Sequence, residues 1–158
     1  MSTTSLKYVI DTCSFTAIQR VYPTDVFPGV WDLMDKLAEN GIIGSVEDIM
    51  EELKSQDDFL HKWAKKHKGI FLPLDGQIQT HATAILGTHE NLIDLKKRKS
   101  GADPFIIAAA IVTSSTVVTE EKPSGGPHKV KIPDVCKAYK VPCITVLDLL
   151  RAEGLKLK

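Results

Sequence analysis

Lys7-Tyr8-Val9-Ile10-Asp11-Thr12 opens on a short β-prone run and ends on an acid, and residues 13–20 then read as a short helix. The same alternation repeats outward from this stretch. Tyr22-Pro23 and Phe27-Pro28 punctuate a loop. Val30, Leu33, Met34 and Leu37 recur at helical spacing, which predicts an amphipathic helix over about 29–39 with Gly41 as its C-terminal cap. Ile42-Ile43-Gly44 reads as a second strand, with Ser45 capping a helix that starts at Val46 and runs to about Lys54. A further helix covers about 56–67, Ile70-Phe71-Leu72 is a third strand, and 75–95 is helical with a break near Gly87.

In the second half Ala102-Asp103-Pro104 opens an apolar helix over 104–112, and Thr116-Val117-Val118-Thr119 is a β-branched strand. Lys122 to Pro133 reads as a long surface loop. Asp134–Tyr139 is a short helix, Cys143–Val146 a last strand and Leu147–Ala152 a closing helix. Strands alternating with helices imply a single α/β layered domain over 1–158, with a mostly parallel sheet and right-handed crossovers.

The 158 residues carry 20 basic and 20 acidic side chains, so whole-molecule charge argues for neither nucleic acid nor membrane. The charge is uneven, −4 over 1–79 and +4 over 80–158. The uncharged segment from Phe105 to Thr119 is too short to span a bilayer, and the N-terminus lacks a signal-peptide pattern. Three cysteines, at 13, 136 and 143, do not make a disulfide framework, and a reducing cytoplasm is the simplest setting.

Ligand sites in parallel sheets lie beyond the carboxyl ends of the strands. Asp11 follows the first strand; Glu47, Asp48, Glu51 and Glu52 follow the second; Glu120 and Glu121 follow the strand 116–119; Asp103 opens the helix before it. Carboxylates brought together at one sheet end repel and need cations. Four carry −4, which two divalent ions balance, and oxygen ligands suit Mg²⁺ or Mn²⁺ rather than zinc. Each acid also has a plainer use. Asp11 is a candidate helix cap, and Asp103-Pro104 is a favoured cap-and-first-residue pair. Around the 46–53 helix, Val46, Ile49, Met50 and Leu53 form the apolar stripe, Glu51 falls opposite it, and Glu47 and Glu52 flank it. His61 and His67 fall on different helix faces, and Cys136 and Cys143 lack the close spacing of a structural zinc site. Trp31 and Trp63 read as core or interface aromatics.

These residues carry a resemblance. Tyr8-Val9-Ile10-Asp11-Thr12-Cys13-Ser14-Phe15 resembles the opening of a PIN domain, a hydrophobic strand ending in Asp before small hydroxyl residues. Glu51-Glu52-Leu53 resembles its second acidic motif. Ala102-Asp103-Pro104-Phe105-Ile106-Ile107-Ala108-Ala109-Ala110 resembles its third, and Val117-Val118-Thr119-Glu120-Glu121 its fourth. The four stand in order over about 7–150, and the chain is similar to bacterial PIN-like proteins made of this domain alone. The resemblance implies a three-layer α/β/α fold around a five-stranded parallel sheet of order 3-2-1-4-5. It implies a metal-dependent nuclease, usually acting on RNA, with Asp11, Glu52, Asp103 and Glu121 as the acids. The fourth motif usually has Asp where this chain has Glu121, so Glu120 stays open as an alternative ligand. Thr119 matches the hydroxyl residue of that motif and is counted among the substrate contacts. Cys13 stands where a small hydroxyl or apolar residue is common and is assigned no chemistry.

The expected reaction is phosphodiester hydrolysis, with one ion activating water and a second neutralising the leaving oxygen. Asp11 and Asp103 are expected to hold the tighter ion, Glu52 to bind directly or through water, and Glu121 to help hold the second. The products, by analogy with the family, are a 5′-phosphate and a 3′-hydroxyl. An acidic cleft needs basic flanks, and Lys96-Lys97-Arg98-Lys99 is the obvious phosphate-tracking segment, with Lys122 in the following loop. The competing use of 96–99 is a solvated helix end. The family resemblance also implies the toxin half of a type II toxin–antitoxin pair, a homodimer covered by a small antitoxin protein. The alternatives are a catalytically silent PIN-like module that binds RNA or protein, and a phosphatase, which the missing second Asp after Asp11 disfavours.

Overall fold

In a computed structural model of the chain, residues 6–88, 103–123 and 131–155 are described. Five short strands form one all-parallel sheet of order β3-β2-β1-β4-β5: β1 Tyr8–Ile10, β2 Ile43–Val46, β3 Phe71–Leu72, β4 Thr116–Val118 and β5 Cys143–Ile144. Val9 lies opposite Gly44 on one side and Val117 on the other, so β1 is the central strand. Both faces of such a sheet are covered, and β1 accordingly reads as an unbroken buried run.

The helices are α1 Thr12–Val21, α2 Pro28–Glu39, α3 Glu47–Gln56, α4 Asp58–Lys66, α5 Gly76–Thr88, α6 Asp103–Thr113, α7 Ile132–Ala138 and α8 Val146–Ala152. Right-handed crossovers put α1 to α4 on one face, where α1 packs on α3, α4 and α8. On the other face α6 packs on α5, α7, β1, β2 and β4. That enclosure explains an apolar sequence with no polar side: Ile106, Ile107, Ala108, Ala109 and Ala110 are all buried. On the first face Phe15, Trp31, Phe59, Trp63 and Phe71 make one aromatic cluster, with ring centroids 4.8 Å apart for Trp31–Phe59 and 5.6 Å for Phe15–Trp63. Both tryptophans are core residues.

Several boundaries differ from expectation. Ser45 does not cap a helix. It stays in β2, fully buried, and its hydroxyl donates to Ile10 O at 2.6 Å, so a strand-to-strand bond replaces the cap. The helix begins one residue later than expected, at Glu47. Ile70 belongs to a single 3₁₀ turn, Lys68–Ile70, rather than to β3. Helix α5 runs through Gly87 without a break up to Thr88, and the expected continuation to 95 lies outside the described residues. Helix α7 starts at Ile132, earlier than expected, because Pro133 is harmless in a first turn that has no intrahelical acceptor for its missing N–H. Strand β5 stops at Ile144 because Thr145 caps α8: its hydroxyl accepts from Asp148 N (3.2 Å), and Asp148 Oδ2 accepts from Thr145 N (3.3 Å).

Candidate metal centre

The strand order reverses between β1 and β4, and ligands of open α/β sheets bind at the carboxyl end of such a switch point. Asp11 and Thr119 are the first residues beyond these two strands. Asp11 N donates to Val118 O (3.1 Å) and Thr119 N to Ile144 O (3.0 Å), so the exit from each strand is fastened to the neighbouring strand. Ser14, fully buried in the first turn of α1, donates its hydroxyl to Val118 O (3.0 Å) and fixes the helix over the same point.

Asp11 stands at the N-cap of α1, where its carbonyl accepts from Ser14 N (3.1 Å), but it is only 4% exposed and its side chain makes no capping bond. Its Oδ2 accepts from the Thr119 hydroxyl (2.9 Å) and the Cys13 thiol (2.9 Å). Burial nevertheless raises its carboxyl above the usual range, against those two donors and the nearby Thr12 and Cys13 amides. Glu121 N donates to the Thr119 hydroxyl (3.1 Å), which turns the chain so that the Glu121 carboxylate comes back to Asp11. One ligand atom each from Asp11, Cys13 and Glu121 lie within 4.8 Å of one another. Burial first, then the charge of Asp11, push the Glu121 carboxyl up to about 6, with the Ile132 amide and Lys131 opposing.

Glu52 joins from α3, where the Thr12 hydroxyl donates to Glu52 Oε2. Its carboxyl is raised by burial, opposed by that hydrogen bond and raised further by Asp11 and Asp48. Asp48, one turn earlier, is itself raised by partial burial and by Glu47 and Glu51. Asp48 is not among the expected ligands; its i,i+4 spacing from Glu52 is the sequence signal that points to it. Glu51 is exposed, in keeping with its angle on the helix. Glu47 is exposed too, and its carboxylate faces Leu74 N (3.4 Å) beyond β3.

Of Glu120 and Glu121, Glu121 has a ligand atom in the cluster with Asp11. Glu120 is exposed, and its Oε1 accepts from Val146 N (2.8 Å) at the start of α8, on the far side of β4 from Asp11. Successive residues leaving a strand point opposite ways, so only Glu121 returns to the cluster. Helix α6 begins at Asp103 and runs back against the strand direction into β4, which puts its first residue at the carboxyl end of the sheet. The Asp103 side chain lies outside the described residues, as do Lys96, Lys97, Arg98 and Lys99. Lys122 is exposed just after Glu121.

Away from this cluster, His67 is buried and its Nε2 meets Asp35 Oδ1 at 2.8 Å, where Trp63 Nε1 also donates (2.9 Å), so it is a core partner rather than half of a pair with His61. Cys136 and Cys143 are brought near one another across α7 and β5, and both pack with the hydrophobic core.

The donor set fits a divalent cation. Three carboxyl groups are held above their usual range, Asp11 by burial and Glu52 and Glu121 by burial and the charge of Asp11, and no ion pair among the described residues involves Asp11, Glu52 or Glu121. A divalent ion would supply the missing positive charge, and two fixed hydroxyls, Thr12 and Thr119, hold the carboxylates of Glu52 and Asp11 in orientation. Among the described residues no helix is long and apolar enough to cross a membrane.

No curated protein matches the chain. Residues 8–157 match a family described as "Domain of unknown function (DUF4411)", an interval that runs from the first residue of β1 past the end of α8 and so takes in every part of the carboxylate cluster; the chain belongs to that family.

Proposed function

We propose that this protein is a metal-dependent endoribonuclease of PIN-like type, hydrolysing RNA phosphodiester bonds. The observation that carries the proposal is the gathering of Asp11 and Glu121 within one 4.8 Å cluster at the β1–β4 switch point, with Glu52, held by the Thr12 hydroxyl, close enough to feel the charge of Asp11. Asp11, Glu52, Glu121 and, by the family resemblance, Asp103 are the residues that would hold Mg²⁺ or Mn²⁺. Bound there, such ions supply a water of lowered pKa as nucleophile and offset charge on the leaving oxygen. The chain's own residues do the positioning. Thr119 locks the Asp11 carboxylate from one side, and Thr12 orients Glu52 from the other. Lys122, at the rim, and Lys96 to Lys99 supply the positive charge that an RNA backbone requires next to an acidic cleft.

A toxin role in a type II toxin–antitoxin pair, with a homodimer covered by an antitoxin, follows from the PIN resemblance. Three free cysteines suit a reducing cytoplasm. The test compares labelled RNA, labelled DNA and a small phosphomonoester, with and without Mn²⁺, for the wild type and Asp11→Asn. Metal-dependent RNA cleavage lost in the variant supports the nuclease. RNA that is bound but left intact in Mn²⁺ would make the protein a silent RNA-binding module, and turnover of the phosphomonoester alone would make it a phosphatase.

A further inference from the structure

The third donor of the cluster is a sulfur. Cys13 Sγ lies 2.9 Å from Asp11 Oδ2, 3.4 Å from the Thr119 hydroxyl and 3.4 Å from the Glu120 amide, which donates to it. Its surroundings are thus polar on three sides. Cys136 and Cys143 behave differently, packing with the hydrophobic core, whereas Cys13 is not among the residues of that core or packed against it. A cysteine kept for its volume sits among apolar side chains. Cys13 instead faces the same point as the Asp11 and Glu121 carboxylates, with its ligand atom and theirs inside one 4.8 Å cluster.

Resting on the metal-centre proposal above, we infer that Cys13 is a ligand of this centre, making it a mixed carboxylate–thiolate site that takes divalent transition ions in preference to Mg²⁺. Magnesium is a hard ion that demands oxygen ligands, and a thiolate adds nothing to its binding. Manganese, cobalt and zinc accept sulfur increasingly well. As the ion enters, the thiol proton passes to the buffer and one metal–sulfur bond replaces the S–H···Oδ2 hydrogen bond, so the site gives up one proton for the ligand it gains. The Glu120 amide already points at the sulfur and remains a donor to it in the bound state.

Cobalt is the probe. The full chain, freed of metal by chelation, is titrated with Co²⁺ and followed by absorbance and by calorimetry. The wild type is expected to develop a near-ultraviolet thiolate-to-cobalt charge-transfer band that saturates with the calorimetric binding curve. Cys13→Ser and Cys13→Ala are expected to lose the band and bind Co²⁺ more weakly while keeping wild-type Mg²⁺ affinity and circular dichroism; Cys143→Ser is expected to keep the band. Co²⁺ binding without the band, or a band that survives in both Cys13 variants, overturns the inference and leaves the metal centre standing. Wild-type Co²⁺ binding in Asp11→Asn, or no Co²⁺ binding by the wild type, removes the centre itself and the inference with it.

Discussion

The Thr119 hydroxyl donates to Asp11 Oδ2 across 2.9 Å, joining the residue that follows β4 to the residue that follows β1. The two are 108 positions apart in the chain. Thr119 is 2% exposed and its oxygen also accepts from Glu121 N (3.1 Å), so one buried hydroxyl sets the position of two acids.

Removing that hydroxyl takes one of two side-chain donors from a buried carboxylate and leaves the Glu121 amide without its acceptor. Thr119→Val is therefore expected to lose about 1–3 kcal/mol in denaturant unfolding, the usual cost of orphaning a buried polar group. It is also expected to weaken Mn²⁺ binding. Thr119→Ser, which keeps the hydroxyl, should restore most of both. Equal defects in the two variants would mean that the γ-methyl, not the hydrogen bonds, is what matters.

Glu120 and Glu121 are neighbours with different partners. Glu121→Gln is expected to reduce Mn²⁺ affinity in a calorimetric titration. Glu120→Gln is expected to leave that affinity alone. It should cost about 0.3–1 kcal/mol of stability, because a carboxylate at the start of α8 is replaced by a neutral amide. A drop in metal affinity in Glu120→Gln would reverse the assignment.

The raised carboxyls give the metal-free protein a pH signature. Asp11, Glu52 and Glu121 hold protons more tightly folded than unfolded. Their contribution to stability is complete below the ordinary carboxylate range and is lost as pH rises through the folded values, which for Glu121 is about 6. Asp35 has the opposite sign, and its contribution falls away only as pH drops below its ordinary value of 3.8. Melting temperature in chelator is thus expected to be higher at about pH 5 than at about pH 7.5, with saturating Mn²⁺ cancelling the decline. A melting temperature that is flat or rising over that interval would falsify the burial of these charges.

Lys96, Lys97 and Arg98 are tested through salt. Replacing all three with Gln should weaken RNA binding and reduce the slope of log K against log salt by roughly 0.7 for each phosphate no longer neutralised. An unchanged slope would take them off the RNA path.

Much of the fold was legible because a parallel α/β sheet announces itself locally. Each strand is a short apolar run, as in Tyr8-Val9-Ile10 and Thr116-Val117-Val118, and each intervening helix has its own period or cap. The errors fell where a tertiary interaction outweighed a local preference. Ser45 is a good capping residue by type, but the Ile10 carbonyl lies within reach of its hydroxyl and takes that bond instead. Cys136 and Cys143, seven apart, lack the spacing of a zinc site in the sequence, and they do pack with the core, where α7 and β5 bring them near one another.

By itself the sequence determined which elements form, their order, and that acids stand at the ends of strands, since those properties depend on neighbours within a few positions. Only the tertiary structure decided which acids meet. Glu121 and not Glu120 turns toward Asp11, Glu52 arrives through Thr12, and Cys13 faces the cluster rather than the core. The reason is physical: whether a side chain enters a cleft depends on the register between β1 and β4 and on hydrogen bonds such as that from Thr119 to Asp11, and those bonds span the whole chain.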